Sequence, residues 1–283
     1  LCLGLLLCPH LGELLLKMKE YQEAVQCFSL VLEREDDAAA WRGKGLAHLA
    51  LKEYPAALEC FDEALIRHPA DVESILGKAD VFFAQGSYNS SCQYYAQALK
   101  IEPGDLRAWL GRGSCAILLH DHPAALMSYE AALSLHPNNV TALAGRADAL
   151  LKMNRTKDAL AGYDLALLQD PASPAALAGK GDALMAENDA AGASMAYEKA
   201  LQGEPDNLRA LLGGSYARLE SSLPEEALPL LDRARAIDPQ NIRAWLLGGD
   251  ARYAMDDCPA SLQNYDQALE LDSNSSDAWA GRG

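Results

Sequence analysis

Ala38–Pro69 reads AAAWRGKGLAHLALKEYPAALECFDEALIRHP, and its last residue starts a ladder. Pro69, Pro103, Pro137, Pro171, Pro205 and Pro239 each stand 34 residues after the one before. A fixed period in this range marks an array of supersecondary units rather than a domain with one central core. Proline has no N–H and disfavours helix at the residue before it, so each rung ends a helix at the same place in the period. The ladder fails twice, at Asp36, where one residue is missing, and at Ser273. Irregular geometry is expected at those two joints.

With Ala38 as position 1, full repeats span residues 38–71, 72–105, 106–139, 140–173, 174–207, 208–241 and 242–275. A shorter repeat at 5–37 precedes them, residues 1–4 form a leader or the end of an earlier repeat, and 276–283 open a further one. The chain therefore reads as a fragment or as an array lacking a C-terminal cap. Each repeat holds two helices, over roughly positions 2–14 and 18–31. Polar turns such as Gly86–Ser87, Asn154–Arg155 and Asp256–Asp257 separate them. The second helix repeats one apolar face at i, i+3, i+4 and i+7 spacing, as Ala57, Leu58, Phe61, Ala64 and Leu65 and again as Ala159, Leu160, Tyr163, Ala166 and Leu167. No stretch keeps a period of two, so the expected fold is all-α, a solenoid of antiparallel helix pairs without strands.

Bulk properties narrow the function. Half of the 283 residues are hydrophobic, but only four Phe and four Trp occur, so the core is mainly Leu and Ala. A net charge of −16 lacks the clustered Lys and Arg of a nucleic-acid footprint, and no nucleic-acid partner is expected. The acidic excess reads as a solvated outer face, with an acidic groove for basic partners as the alternative. The seven cysteines form no CxxC pair and mostly occupy small apolar helix positions. Buried reduced thiols and a cytoplasmic location are expected. No apolar run approaches a membrane span, and Leu1–Cys8 reads as the frayed start of a longer array.

The pattern resembles the tetratricopeptide repeat, W-x2-L-G-x2-Y then A-x3-F then P. It is carried by Trp41, Gly45, Ala57, Phe61 and Pro69, by Trp109, Gly113, Ala125, Tyr129 and Pro137, and by Trp245, Gly249, Ser261 and Tyr265, with Ser273 in place of the proline. The resemblance implies a right-handed superhelical solenoid whose first helices line a concave groove. Two departures stand out. Position 7 carries Lys44, Lys78, Arg112, Arg146 and Lys180, whose stems cover apolar surface while their charges reach water. Position 6 is Gly in six repeats, from Gly43 to Gly213, and the combined Gly-Lys/Arg-Gly style resembles arrays common in archaea. Those glycines serve either close packing or a shallow groove floor, and packing is the expected reason.

Positions 2, 5, 9, 12 and 13 line the groove in the family that this chain resembles. Here they supply Asp80, Asp148, Asp182, Tyr216 and Asp250 at position 9, and Phe83, Ile117, Leu151, Met185 and Tyr253 at position 12. Arg107, Arg209 and Arg243 stand at position 2. An apolar floor with a line of carboxylates suits an amphipathic peptide bearing basic residues. Alternatively the aspartates pair within the array, Asp80 with Arg107 and Asp182 with Arg209. Arrays that clamp the C-terminal carboxylate of heat-shock chaperones carry Lys at position 5 and Asn at position 9. No repeat here has that pair.

No catalytic motif, cofactor loop or metal-ligand set is present, and the His120–Asp121–His122 cluster reads as a solvated turn. The expected function is a non-catalytic scaffold that binds a peptide or partner protein, with no cofactor and no membrane partner. The rival is the recruiting region of a larger enzyme, such as a glycosyltransferase. Because each repeat's apolar face needs a neighbour, end-to-end self-association is also expected.

Overall fold

The computed structural model describes residues 8–283, with side chains from His10 onward. The leader assigned to residues 1–4 lies outside the described residues. The chain forms two compact units that meet in sequence at Pro137 and Asn138. The first holds α1 (Cys8–Lys17), α2 (Tyr21–Leu32), α3 (Ala38–Ala50), α4 (Tyr54–Arg67), α5 (Val72–Ala84), α6 (Tyr88–Ile101), α7 (Leu106–Leu118) and α8 (His122–Leu135). The second holds α9 (Val140–Lys152), α10 (Thr156–Gln169), α11 (Pro174–Ala186), α12 (Ala190–Gly203), α13 (Leu208–Glu220), α14 (Pro224–Ile237), α15 (Ile242–Ala254), α16 (Cys258–Leu271) and α17 (Ser276–Arg282). Among the described residues there are only helices, and consecutive helices pack against one another within each unit. None of them is long and apolar enough to cross a membrane.

The helix bounds sit one residue earlier than the periodicity suggests, and capping explains why. From α3 onward, and apart from α11, the residue before each odd-numbered helix is extended, and its side chain accepts the N–H three residues on. Asp37 caps Ala40, Asp105 caps Ala108, Asn139 caps Ala142 and Asn241 caps Ala244. The cap occupies the last position of the preceding repeat, so the helix begins at position 1. Pro174 at the first helical position replaces a side-chain cap at Ser173.

Each pair turns through one residue of positive φ, at Lys19, Lys52, Gly86, His120, Asn154, Asn188, Ser222 and Asp256. The backbone bonds around it close the helix end: Lys52 N–H donates to Leu49 O at 3.0 Å and Glu53 N–H to His48 O at 2.9 Å. Gly86 alone meets this geometry without a Cβ penalty. The even-numbered helices from α4 onward end on an extended residue, as at His68 with φ −131° and ψ 85°, where the following proline forbids helix. Asp272 adopts the same conformation, φ −142° and ψ 99°, although Ser273 follows it. That joint is therefore regular, contrary to expectation. The joint at Asp36 does differ, since Glu33 stays helical and Asp37 N–H turns back to Glu35 O.

The core is a file of aromatic rings at position 24. Phe61 is fully buried between Gly45 of its own pair and Gly77 of the next, and Tyr197 is likewise held between Gly181 and Gly213. A Cβ on Gly45 would lie 2.8 Å from the Phe61 ring, and one on Gly77 would overlap it. The position-6 glycines thus face the core, as packing requires. The one repeat with Leu231 in place of a ring is followed by Leu247 in place of glycine, and both are buried.

Candidate functional site

The odd-numbered helices present positions 2, 9 and 12 on a common face of each unit. On that face the aspartates at position 9 are hydrogen-bonded from below by the core tyrosines. Tyr163 donates to Asp148 at 2.6 Å, Tyr197 to Asp182 at 2.5 Å and Tyr265 to Asp250 at 2.7 Å, and Tyr95 donates to Asp80. A buried phenol needs an acceptor, and the aspartate supplies it. Where position 24 is Phe61 or Leu231, position 9 is Leu46 or Tyr216 and no acceptor is required. Burial and the adjacent carboxylate push the hydroxyls of Tyr95, Tyr163, Tyr197 and Tyr265 well above the usual phenol range.

Arginines at position 2 close the network from above. In the first unit Arg107 reaches Asp80 and, at 3.1 Å, Glu73. In the second unit Arg209 bridges Asp182 at 2.6 Å and Asp148 at 2.7 Å, so one guanidinium ties three successive helix pairs. Burial opposes the charge on Arg209, but the two carboxylates outweigh it and hold its pKa above the ordinary guanidinium value. The pairs Asp80–Arg107 and Asp182–Arg209 are those that the alternative reading of the groove names. The reach from Arg209 to Asp148 was not foreseen.

Arg243 finds no aspartate at the matching place. It stacks instead over Tyr216, its guanidinium 6.0 Å from the ring centroid. Tyr253 is 67% exposed and Asp250 is exposed beside it on α15. The apolar members of the expected site are half-buried. Phe83 packs on the core of the first unit and meets Tyr88 edge-on at 5.5 Å, and Ile117 lies on α7. Met185 packs on the core of the second unit, and Leu151 lies on α9. The structure therefore brings together Asp80 with Arg107, Asp148 and Asp182 with Arg209, and Tyr216 with Arg243.

Not all of the position-7 cations simply reach water. Lys78 bonds Asp62 at 2.5 Å, Lys180 bonds Asp164 at 2.6 Å and Arg282 bonds Asp266 at 2.8 Å, each carboxylate lying on the preceding even-numbered helix. Burial works against the Lys78 charge, yet Asp62 raises its pKa on balance. Arg235 is the departure that sequence reasoning missed. It stands where the other repeats carry Leu, lies 4.5 Å over Trp245 and donates to Ala244 O and Asn264 Oδ1. Gly248, where five of the other full repeats carry Lys or Arg, leaves the space that its guanidinium fills.

No curated protein matches the chain. Among solved structures, a chain of the APC/C hetero-tetramer Cut9–Hcn1 is similar at a TM-score of 0.76 and 12% identity, over 93% of this chain and 52% of that one. This chain thus spans about half the length of that relative. A tetratricopeptide repeat protein from Parabacteroides merdae is similar at 0.68 and 14% identity, over 87% of this chain and 97% of that one. YrrB, described as having an unusual peptide-binding site, is similar at 0.51 and 16% identity, over 68% of this chain and 98% of that one. These likenesses show the fold. Sequence profiles described as tetratricopeptide repeat match residues 11–72 and 76–140 and, in a second version, 116–182 and 184–248. With nearly every helix pair falling under one of these matches, the chain belongs to the tetratricopeptide repeat family.

Proposed function

We propose that this protein is a non-catalytic scaffold whose odd-helix face takes a peptide or an extended segment of a partner protein. The carrying observation is the exposure of Tyr216, Arg243, Asp250 and Tyr253 on that face of the second unit, next to half-buried apolar residues. Tyrosine and arginine are the residues that most often anchor protein interfaces. The aspartates that Arg209 neutralises give this face rigidity, and Asp250 leaves it a free negative charge. A partner segment with apolar and basic side chains complements it. The structural relatives support a role in protein assembly, since one is a chain of a hetero-tetramer and another has a peptide-binding site. The free thiols of Cys27, Cys60, Cys92, Cys115 and Cys258 support a reducing compartment, the cytoplasm.

A pooled-peptide screen on the intact chain tests this reading. Apolar peptides bearing Lys or Arg should be enriched, and Tyr253→Ala should weaken them about tenfold, as expected for an exposed anchor that the core does not need. Enrichment of acidic peptides, or of none, would contradict the proposal.

A further inference from the structure

Arg235 breaks the repeat in a way that costs stability twice. The six other full repeats carry Leu at its position, and a guanidinium taken from water loses hydration that leucine never had. Gly248, which makes room for it, is a glycine inside a helix. The charge is also poorly balanced. The side chain is 16% exposed, and its one carboxylate, Asp232, lies 3.2 Å away and is itself 71% exposed. Nη2 donates to two neutral oxygens, Ala244 O and Asn264 Oδ1, and the buried Nε has no acceptor. Burial also opposes the charges of Arg107 and Arg209, but their carboxylates hold those pKa values above the ordinary guanidinium value. For Arg235 burial prevails over the pull of Asp232, Arg252 adds to it, and the pKa falls below that value. A residue that departs from its repeat at such a cost points to function.

A cavity of about 420 Å³ opens at this guanidinium, between α14 and α16, lined by Arg235, Trp245, Gln263, Asn264, Asp266 and Gln267. The Trp245 ring, 4.5 Å from the guanidinium, holds it in place. Asp266 is engaged by Arg282 at 2.8 Å, which leaves Arg235 as the unbalanced charge of the lining. Asp62 and Asp164, in the register of Asp266 on α4 and α10, are as exposed as it is, so the openness of this side belongs to the repeat itself.

We propose that this cavity binds a carboxylate, seated against Arg235. A carboxylate is planar and singly charged, which suits one guanidinium and replaces the loose contact with Asp232. A doubly charged phosphate would also face Asp232 and Asp266, and the like charges disfavour it. Gln263 and Gln267 add neutral amide donors to the lining, and the volume suits a group of amino-acid size. The site shares no residue with the face that carries Tyr216, Arg243, Asp250 and Tyr253, so it stands apart from the peptide groove.

The test is a titration of the full chain with butyrate and with N-acetyl-glutamate N-methylamide, read by NMR at the Trp245 indole N–H. Butyramide and the glutamine analogue are the neutral comparisons, and inorganic phosphate is the doubly charged one. The Trp245 signal should move saturably with a carboxylate while those of Trp41 and Trp109 stay in place. The neutral amides should leave it unmoved, and phosphate should bind more weakly. A shift with both acids assigns the ligand to an acidic side chain of a partner, and a shift with butyrate alone assigns it to a small free acid. Arg235→Leu restores the residue of the other full repeats, so it should fold without loss of Tm and abolish the shift. Arg235→Lys, which keeps the charge without the planar fork, should weaken binding about tenfold. Asp232→Asn removes the competing carboxylate and should tighten binding about threefold. A Trp245 signal that ignores both acids, or that moves alike in Arg235→Leu or with the neutral amides, would overturn the site. The pooled-peptide screen repeated on Arg235→Leu should still enrich peptides with Lys or Arg, so failure of the carboxylate site would leave the odd-helix reading standing.

Discussion

Leucine at Gly77 is expected to destabilise the first unit by about 3 kcal/mol or more, because it must displace a fully buried ring. The cost should depend on Phe61 and not on helix propensity, in which leucine is better than glycine. The second unit holds the control. There Leu231 faces Leu247, the same two positions filled with a smaller and a larger side chain. Phe61→Leu combined with Gly77→Leu copies that arrangement, and the double variant should be more stable than Gly77→Leu alone. Urea unfolding of both single variants and the double variant measures the coupling, expected at about 2 kcal/mol. Additive losses would mean that the ring and the glycine do not share one space.

Alkali is expected to unfold the protein steeply, through the tyrosines that hold the aspartates. Burial first, and then Asp80, Asp148, Asp182 and Asp250, keep the hydroxyls of Tyr95, Tyr163, Tyr197 and Tyr265 protonated in the folded state. In the unfolded chain they ionise near pH 10, as ordinary phenols do. Above that pH the unfolded state binds fewer protons than the folded state, so stability falls as pH rises. Their contribution is fully present below pH ~10 and falls by about 1.4 kcal/mol per tyrosine for each further pH unit. The buried thiols of Cys60 and Cys115, pushed by burial from 9.0 to about 11, add a loss of the same sign that starts earlier. Melting curves from neutral pH upward should therefore show a decline that steepens past pH ~10, with part of the tyrosinate absorbance arising only on unfolding. Tyr163→Phe should flatten the slope by about a quarter of the tyrosine contribution. Full tyrosinate absorbance with the helices intact would contradict this account.

The helix pairs were legible because proline, the capping Asp and Asn, and the apolar spacing all act within a few residues. The one-residue offset in the bounds arises because the cap at Asp37 or Asn139 belongs to the end of the preceding repeat. The ion pairs of Arg107 and Arg209 with the nearest aspartates could be named in advance as an alternative. The reach of Arg209 across 61 residues to Asp148 could not, since it depends on how successive pairs stack. The tyrosine hydroxyls were a readable signal that was missed. Tyr at position 24 goes with Asp or Ser at position 9, whereas Phe61 goes with Leu46 and Leu231 with Tyr216. Lys78 and Lys180 meet carboxylates on a neighbouring helix, a contact that repeat register alone does not reveal.

Hydrogen exchange with a peptide from the screen tests the central claim most directly. The account predicts that added protection concentrates on α13 and α15, whose exposed face carries Tyr216, Arg243, Asp250 and Tyr253. Protection confined to α10, α12, α14 and α16 would place the partner on the opposite side and contradict the proposed site.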